Sequence, residues 1–163
     1  MAWPKKGMAM DFEFLRSQLA AAVPFARHAG VEITEIADGF ATAQLVQTEP
    51  LSNHLGSVHA GAIFTLGETA SGAAMIGAFA DTATQVRPLA TEARISYLKL
   101  ARGTIIAKAR TDLAGADLRG QLRTHGLVTF GVKVDVQDDR ARVVAQLDVS
   151  WRVTMPRATD PAD

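Results

Sequence analysis

The 163-residue chain contains no cysteine. Disulfides, thiolate metal ligands and a cysteine nucleophile are excluded together, while the redox compartment stays open. Excess charge of one sign is absent too, since seventeen Lys and Arg balance seventeen Asp and Glu. No net field draws the chain to nucleic acid or to an anionic membrane, and no dense Lys/Arg run supplies a local one. There is no Gly-x-Ser-x-Gly elbow, no Gly-x-Gly-x-x-Gly and no Walker-type loop, so a serine-hydrolase site and a nucleotide-phosphate site lack support. His54 and His59 form a close pair without further ligands, and no metal or other cofactor is expected. The opening MAWPKKGMAMDFEF has a Lys pair but no apolar stretch behind it, so no secretory signal is expected and cytoplasm is the default.

Long hydrophobic runs are also scarce, with one exception. Residues Ser57 to Phe79 carry only His59 and Glu68 as ionisable groups and are long enough to span a bilayer. The run is built on alanine and glycine, however, and a mid-segment Glu is costly in lipid. A buried helix of a soluble protein is the better reading.

What is present reads as ordinary globular protein, 48% hydrophobic and 21% charged. The length suits one domain over residues 1–163, with a core of about 28–154. Residues 1–10 read as a loose leader and the stretch from Pro156 as a frayed tail. Asp11 can cap a helix over about 11–23, carrying Phe12, Leu15, Leu19 and Val23 and ending near Pro24. Two strands follow, about 31–36 and 40–47, joined at Asp38-Gly39. After the apolar helix, Pro88 marks a loop, and strands are expected at about 92–100 and 104–112. A Gly- and Arg-bearing loop is expected over 114–124, then strands at about 128–136 and 143–153. The order helix, two strands, apolar helix, four strands is α+β. One enclosed helix with about six strands is most economically wrapped by a curved antiparallel sheet.

Glu68 stands out. It lies mid-helix among small apolar residues, where an unpaired carboxylate is expensive to bury. Either it faces a polar cleft with a displaced pKa, or it lies on a narrow solvent-facing strip paired with an Arg. The helix start is expected near Ser57 or Val58, which leaves the amides of His59, Ala60 and Gly61 free to stabilise developing negative charge. His59 itself reads more readily as a capping or packing residue. Nine positions from His59 to Glu68 mean about 13.5 Å and roughly opposite faces if both lie on one α-helix. Two chains with antiparallel helices can bring the two groups together, so a site shared across a homodimer is expected. His28 and His125 look isolated, and Arg94, Lys99, Arg102 and Lys108 read as solvated strand ends open to contact with phosphates.

The run Asn53-His54-Leu55-Gly56-Ser57-Val58-His59-Ala60-Gly61, continuing to Gly67-Glu68, resembles the hot-dog-fold thioesterases of the phenylacetyl-CoA thioesterase-like group. That group has an Asn, a His-Gly-Gly helix start and an acidic residue nine positions after the His. The strand Glu92 to Leu98 is similar to the one following the helix there, and Glu68-Thr69-Ala70-Ser71-Gly72 is similar to uncharacterised thioesterase-like relatives. The resemblance covers about residues 28–154. It implies a hot-dog fold and an acyl-CoA thioesterase, with a homodimer as the minimal active unit and a tetramer compatible with it. It further implies Glu68 as general base or nucleophile, Asn53 orienting water, the Ala60 amide as oxyanion donor and His59 supporting the loop, with Gly61 counted in the catalytic helix start. Thr91 is the nearest match to an assisting hydroxyl, and His54 is a second substrate-side candidate. The departure is Ala60, where the group has Gly; its amide survives, but a methyl is added. Two alternatives share the fold. A hydroxyacyl-thioester dehydratase would pair His54 with Glu68, although its His-Phe-Pro and Pro-Gly elements are absent. A non-catalytic acyl-CoA binding module would use the same groove without turnover.

Overall fold

In a computed structural model, residues 11–156 are described. The expected leader and the tail beyond Pro156 lie outside the described residues. Asp11 accepts from the Phe14 amide at 3.0 Å and starts α1, Phe12–Ala22. Pro24 ends α1 as expected, but it also opens a second short helix, α2, Pro24–His28. A proline at the first helical position loses no hydrogen bond, since that N–H has no partner inside the helix.

The strands are β1, Val31–Ala37, and β2, Phe40–Val46; a 3₁₀ turn follows over Glu49–Leu51. The long apolar helix is α3, Ala60–Ala78. Then come β3, Arg87–Tyr97, β4, Thr104–Thr111, a further helix α4, Gly115–His125, and the strands β5, Leu127–Gln137, and β6, Val143–Thr154. The six strands form one sheet in the order β1-β2-β4-β5-β6-β3, every pair antiparallel. Alternating apolar residues of β5 and β6 point one face inward, as period-two patterning requires. Leu45, Leu66, Ile105, Val132, Val134 and Leu147 make the core between that face and α3.

Alanine and glycine on α3 let the sheet come close. A Cβ at Gly77 would collide with the backbone carbonyl of Ala37, and one at Gly67 would sit 2.6 Å from a methyl of Leu147. The helix-propensity cost of these glycines, roughly 1 kcal/mol each, is offset by that approach.

Three boundaries differ from expectation. The helix begins at Ala60, because the His59 amide donates to the Leu51 carbonyl at 2.8 Å and stays outside the helix. Strand β3 begins at Arg87 and ends at Tyr97, so Pro88 lies within it. It is an edge strand, where a missing N–H is tolerated. The third is α4, expected as a loop. Its Arg119 clamps Asp38 with bonds of 2.9 and 3.2 Å and the Ala78 carbonyl at 2.6 Å, tying α4 to the β1–β2 turn and to the end of α3.

Candidate active site

The segment before α3 is a locked loop. Asn53 Oδ1 accepts from the amides of Leu55 and Ser57 and from the Ser57 hydroxyl, at 2.9, 3.2 and 3.1 Å. Two backbone donors aimed at one atom identify it as the oxygen. Asn53 therefore has no acceptor to offer a water; its amide N–H₂ groups, which bond to none of the described residues, can only donate. From outside, Gln47 holds the Gly56 carbonyl at 3.2 Å, and Arg102 holds the carbonyls of Leu55 and Gly56 at 3.1 and 3.2 Å. Arg102 is thus a loop fastener and not a loose strand end.

At the helix start, the three amides expected to be free divide. His59 donates to Leu51, and Gly61 donates to Nδ1 of His59 at 2.9 Å, making His59 the N-cap. Ala62 and Ile63 donate to the His59 carbonyl. None of the described residues accepts from Ala60. Of the trio only the Ala60 amide is available, so Gly61 and His59 are withdrawn as donors by the capping geometry itself. The cap also fixes the imidazole: Nδ1 must carry a lone pair, which leaves any ring proton on Nε2. The carbonyl of Ala60 is held as well, because the Tyr97 hydroxyl donates to it at 3.1 Å from the end of β3. Partial burial pushes the Tyr97 phenol above its ordinary value, so it remains a donor through the neutral range. Tyr97 was missed as a site residue; 37 residues separate it from Ala60, and no local spacing reports the contact.

Glu68 lies on a half-exposed strip of α3 together with Gly61, Thr65 and Gly72. None of the described residues donates to its carboxylate or pairs a cation with it, so the Arg-paired alternative is not what the described structure has. Desolvation by burial raises its pKa above the ordinary carboxylate range. Its backbone is anchored: the Ser71 hydroxyl donates to the Glu68 carbonyl at 2.7 Å, and Trp151 Nε1 donates to Ser71 at 3.3 Å.

The distance argument changes in one respect. His59 is outside the helix, so its nine-residue phase relation to Glu68 does not hold. The axial separation of Ala60 and Glu68, eight residues or about 12 Å, does. Thr91 sits at a bulge of β3 with its hydroxyl on the Ser150 carbonyl at 3.2 Å, and no described contact brings it to the helix start. His54 is exposed and makes no hydrogen bond with the described residues. No group of three or more His, Asp or Glu that could hold a metal occurs among the described residues. None of their helices is long and apolar enough to cross a membrane.

Several solved structures share this fold. A Pseudomonas aeruginosa protein of unknown function, described as a probable thioesterase, aligns with TM-score 0.77 at 22% identity, over 88% of this chain and 95% of its own. A hypothetical thioesterase from Streptococcus pneumoniae, solved with coenzyme A, aligns with TM-score 0.65 at 20% identity, over 87% and 98%. The PaaI protein of the Escherichia coli phenylacetic acid degradation operon gives TM-score 0.64 at 18% identity, over 88% and 93%. The chain has the hot-dog fold, α+β, with a six-stranded antiparallel sheet curved about one long helix. No curated protein matches it by sequence. Residues 13–153 match the family described as Domain of unknown function (DUF4442), and the chain belongs to that family.

Proposed function

We propose that the protein is an acyl-CoA thioesterase that uses Glu68 to activate water, or to attack directly, against a thioester whose carbonyl oxygen rests on the Ala60 amide. The observation that carries this reading is a half-buried carboxylate that has no donor or cation among the described residues, on a helix whose first amide has no acceptor among them either. A carboxylate whose pKa is raised by burial is a stronger base than an ordinary Glu, and a helix N-terminus favours an oxyanion. Asn53, restricted to donating, positions the attacking water or the thioester oxygen. Thiols leave far more readily than amines, so no strong general acid is needed beside them; a simple thiol has a pKa of about 8.5. The coenzyme A held by the Streptococcus pneumoniae neighbour supports a CoA thioester as substrate.

The site is completed by a second copy of the chain. About 12 Å separates Ala60 from Glu68 along one helix, too far for both to meet one carbonyl. Strand β3 is the last strand of the sheet among the described residues, exposed along nearly its whole length, with Leu89 and Tyr97 open to solvent. A long exposed edge is a template for pairing, and two such strands joined edge to edge bring the two α3 helices side by side.

Free-thiol release from a panel of acyl-CoAs tests the reading. Glu68→Gln is expected to lose about 10²–10⁴-fold in kcat while retaining fold and dimer. Unchanged rates would remove Glu68 from the chemistry, and a fully active monomer by light scattering would remove the shared site.

A further inference from the structure

An open groove of about 930 Å³ runs along the start of α3. Its walls come from segments far apart in sequence: Phe25 of α2, Val46 at the end of β2, Leu51 of the 3₁₀ turn, and Phe64 of α3. Phe25 and Val46 are 68% and 55% exposed, an unusual amount of apolar surface to leave in water at one place. The volume is at the upper end of the roughly 300–1,000 Å³ of small-molecule sites.

We infer that this groove holds the acyl group of the substrate and selects large apolar acyl groups over acetyl; the inference rests on the thioester reading above. Three observations choose the acyl end over the nucleotide end of such a substrate. Among the described residues no Lys or Arg lines the groove, whereas the nucleotide end of coenzyme A is a polyanion. The nearby Arg102 has its guanidinium turned to the loop carbonyls of Leu55 and Gly56. The groove is also continuous with the chemistry. His59 and Gly61, which flank the Ala60 amide, line one part of it, and Phe64 and Thr65 carry it along the helix from there. A carbonyl at the helix start therefore has an apolar trough beside it for the chain that it bears.

Each methylene that enters such a trough raises kcat/KM about fourfold. Decanoyl-CoA is then preferred over acetyl-CoA by roughly 250-fold if four added methylenes are buried. Val46→Trp fills the trough and Phe25→Asp makes its wall polar; both positions are exposed, so folding is not at stake. The measurements are the decanoyl-to-acetyl ratio of kcat/KM and, by calorimetry, binding of S-decyl-CoA, a thioether that cannot be hydrolysed. Both variants are expected to lower the ratio at least tenfold and to weaken S-decyl-CoA at least tenfold. If the wild type hydrolyses no acyl-CoA yet binds the thioether in a Val46-dependent way, the hydrolase reading falls and the groove assignment stands. If ratio and binding are the same in all three proteins, the groove assignment falls and the hydrolase reading is untouched. A groove covered instead by a second copy would show as a change of mass for Val46→Trp with the ratio unmoved, and would equally overturn it.

Discussion

Tyr97→Phe removes one oxygen atom and asks whether the helix start is held for chemistry or only for folding. The phenol donates to the Ala60 carbonyl at 3.1 Å, its single hydrogen bond among the described residues, and Tyr97 as a residue is 49% exposed. A neutral hydrogen bond contributes about 0.5–1.5 kcal/mol net. Because water replaces part of it at a half-exposed position, the stability loss is expected below about 1 kcal/mol, a fall of no more than ~2–4 °C in Tm. The kinetic effect has a separate ceiling. If the whole of that bond serves to hold residue Ala60, and through its Cα the preceding amide, in line with the developing oxyanion, kcat falls by roughly 2–12-fold at 1.36 kcal/mol per decade. That is less than the 10²–10³-fold of deleting an oxyanion donor outright, because the amide remains. KM is expected to stay put, since the bond is to the protein's own backbone. Thiol release at saturating acyl-CoA gives kcat, and calorimetry gives Tm. An unchanged kcat with a lowered Tm would make Tyr97 purely structural. A raised KM at constant kcat would make it a ground-state contact, and either result refutes the positioning role.

The same logic extends to other positions. Burial raises the Glu68 pKa in the folded state, so folding favours its protonated form; that stabilisation is complete below the ordinary carboxylate range and is lost as pH rises through the folded pKa. Glu68→Gln is therefore expected to match wild type in melts near pH 4 and to exceed it near pH 8, by under about 1 kcal/mol because water reaches the carboxylate; an equal offset at both pH values would contradict the burial argument. The acid limb of the wild-type pH–rate profile should likewise lie above the ordinary Glu range. Among the glycines, Gly77→Ala drives a methyl into the Ala37 backbone and is expected to destabilise by roughly 1–3 kcal/mol in spite of better helix propensity. Gly72→Ala meets only the Trp151 ring at 3.6 Å, ordinary contact, and should stabilise by about 0.4–1 kcal/mol; chemical denaturation of the pair that reversed their order would refute the close-approach reading of α3.

Where sequence reading stopped short, the missing term was tertiary. Helix α4 has just Leu118 and Leu122 as an apolar pair, with Gly115 and Gly120 weakening it, so nothing local marks it as a helix. Arg119 reaching Asp38 and the Ala78 carbonyl is what holds it against the fold. Patterning starts the strand at about residue 92 and reads Pro88 as loop, and only the sheet order reveals that β3 is an edge strand, where a proline is tolerated. Residue pattern puts the helix start near Ser57 or Val58, because the bond from His59 to Leu51 spans a loop that no periodicity describes.

The sequence by itself determined the strand alternation, the enclosed helix and the presence of one carboxylate where apolar residues belong. These are short-range patterns of side-chain type, and they follow from burial and chirality acting residue by residue. Only the tertiary structure decided which amide at the helix start lacks an acceptor, that Asn53 can donate but not accept, and that Tyr97 grips Ala60. It also decided that Phe25, Val46 and Phe64 share one groove. Each of those facts is a meeting of segments distant in the chain, set by sheet register and by the crossing of α3, and neither quantity is written in any local stretch of residues.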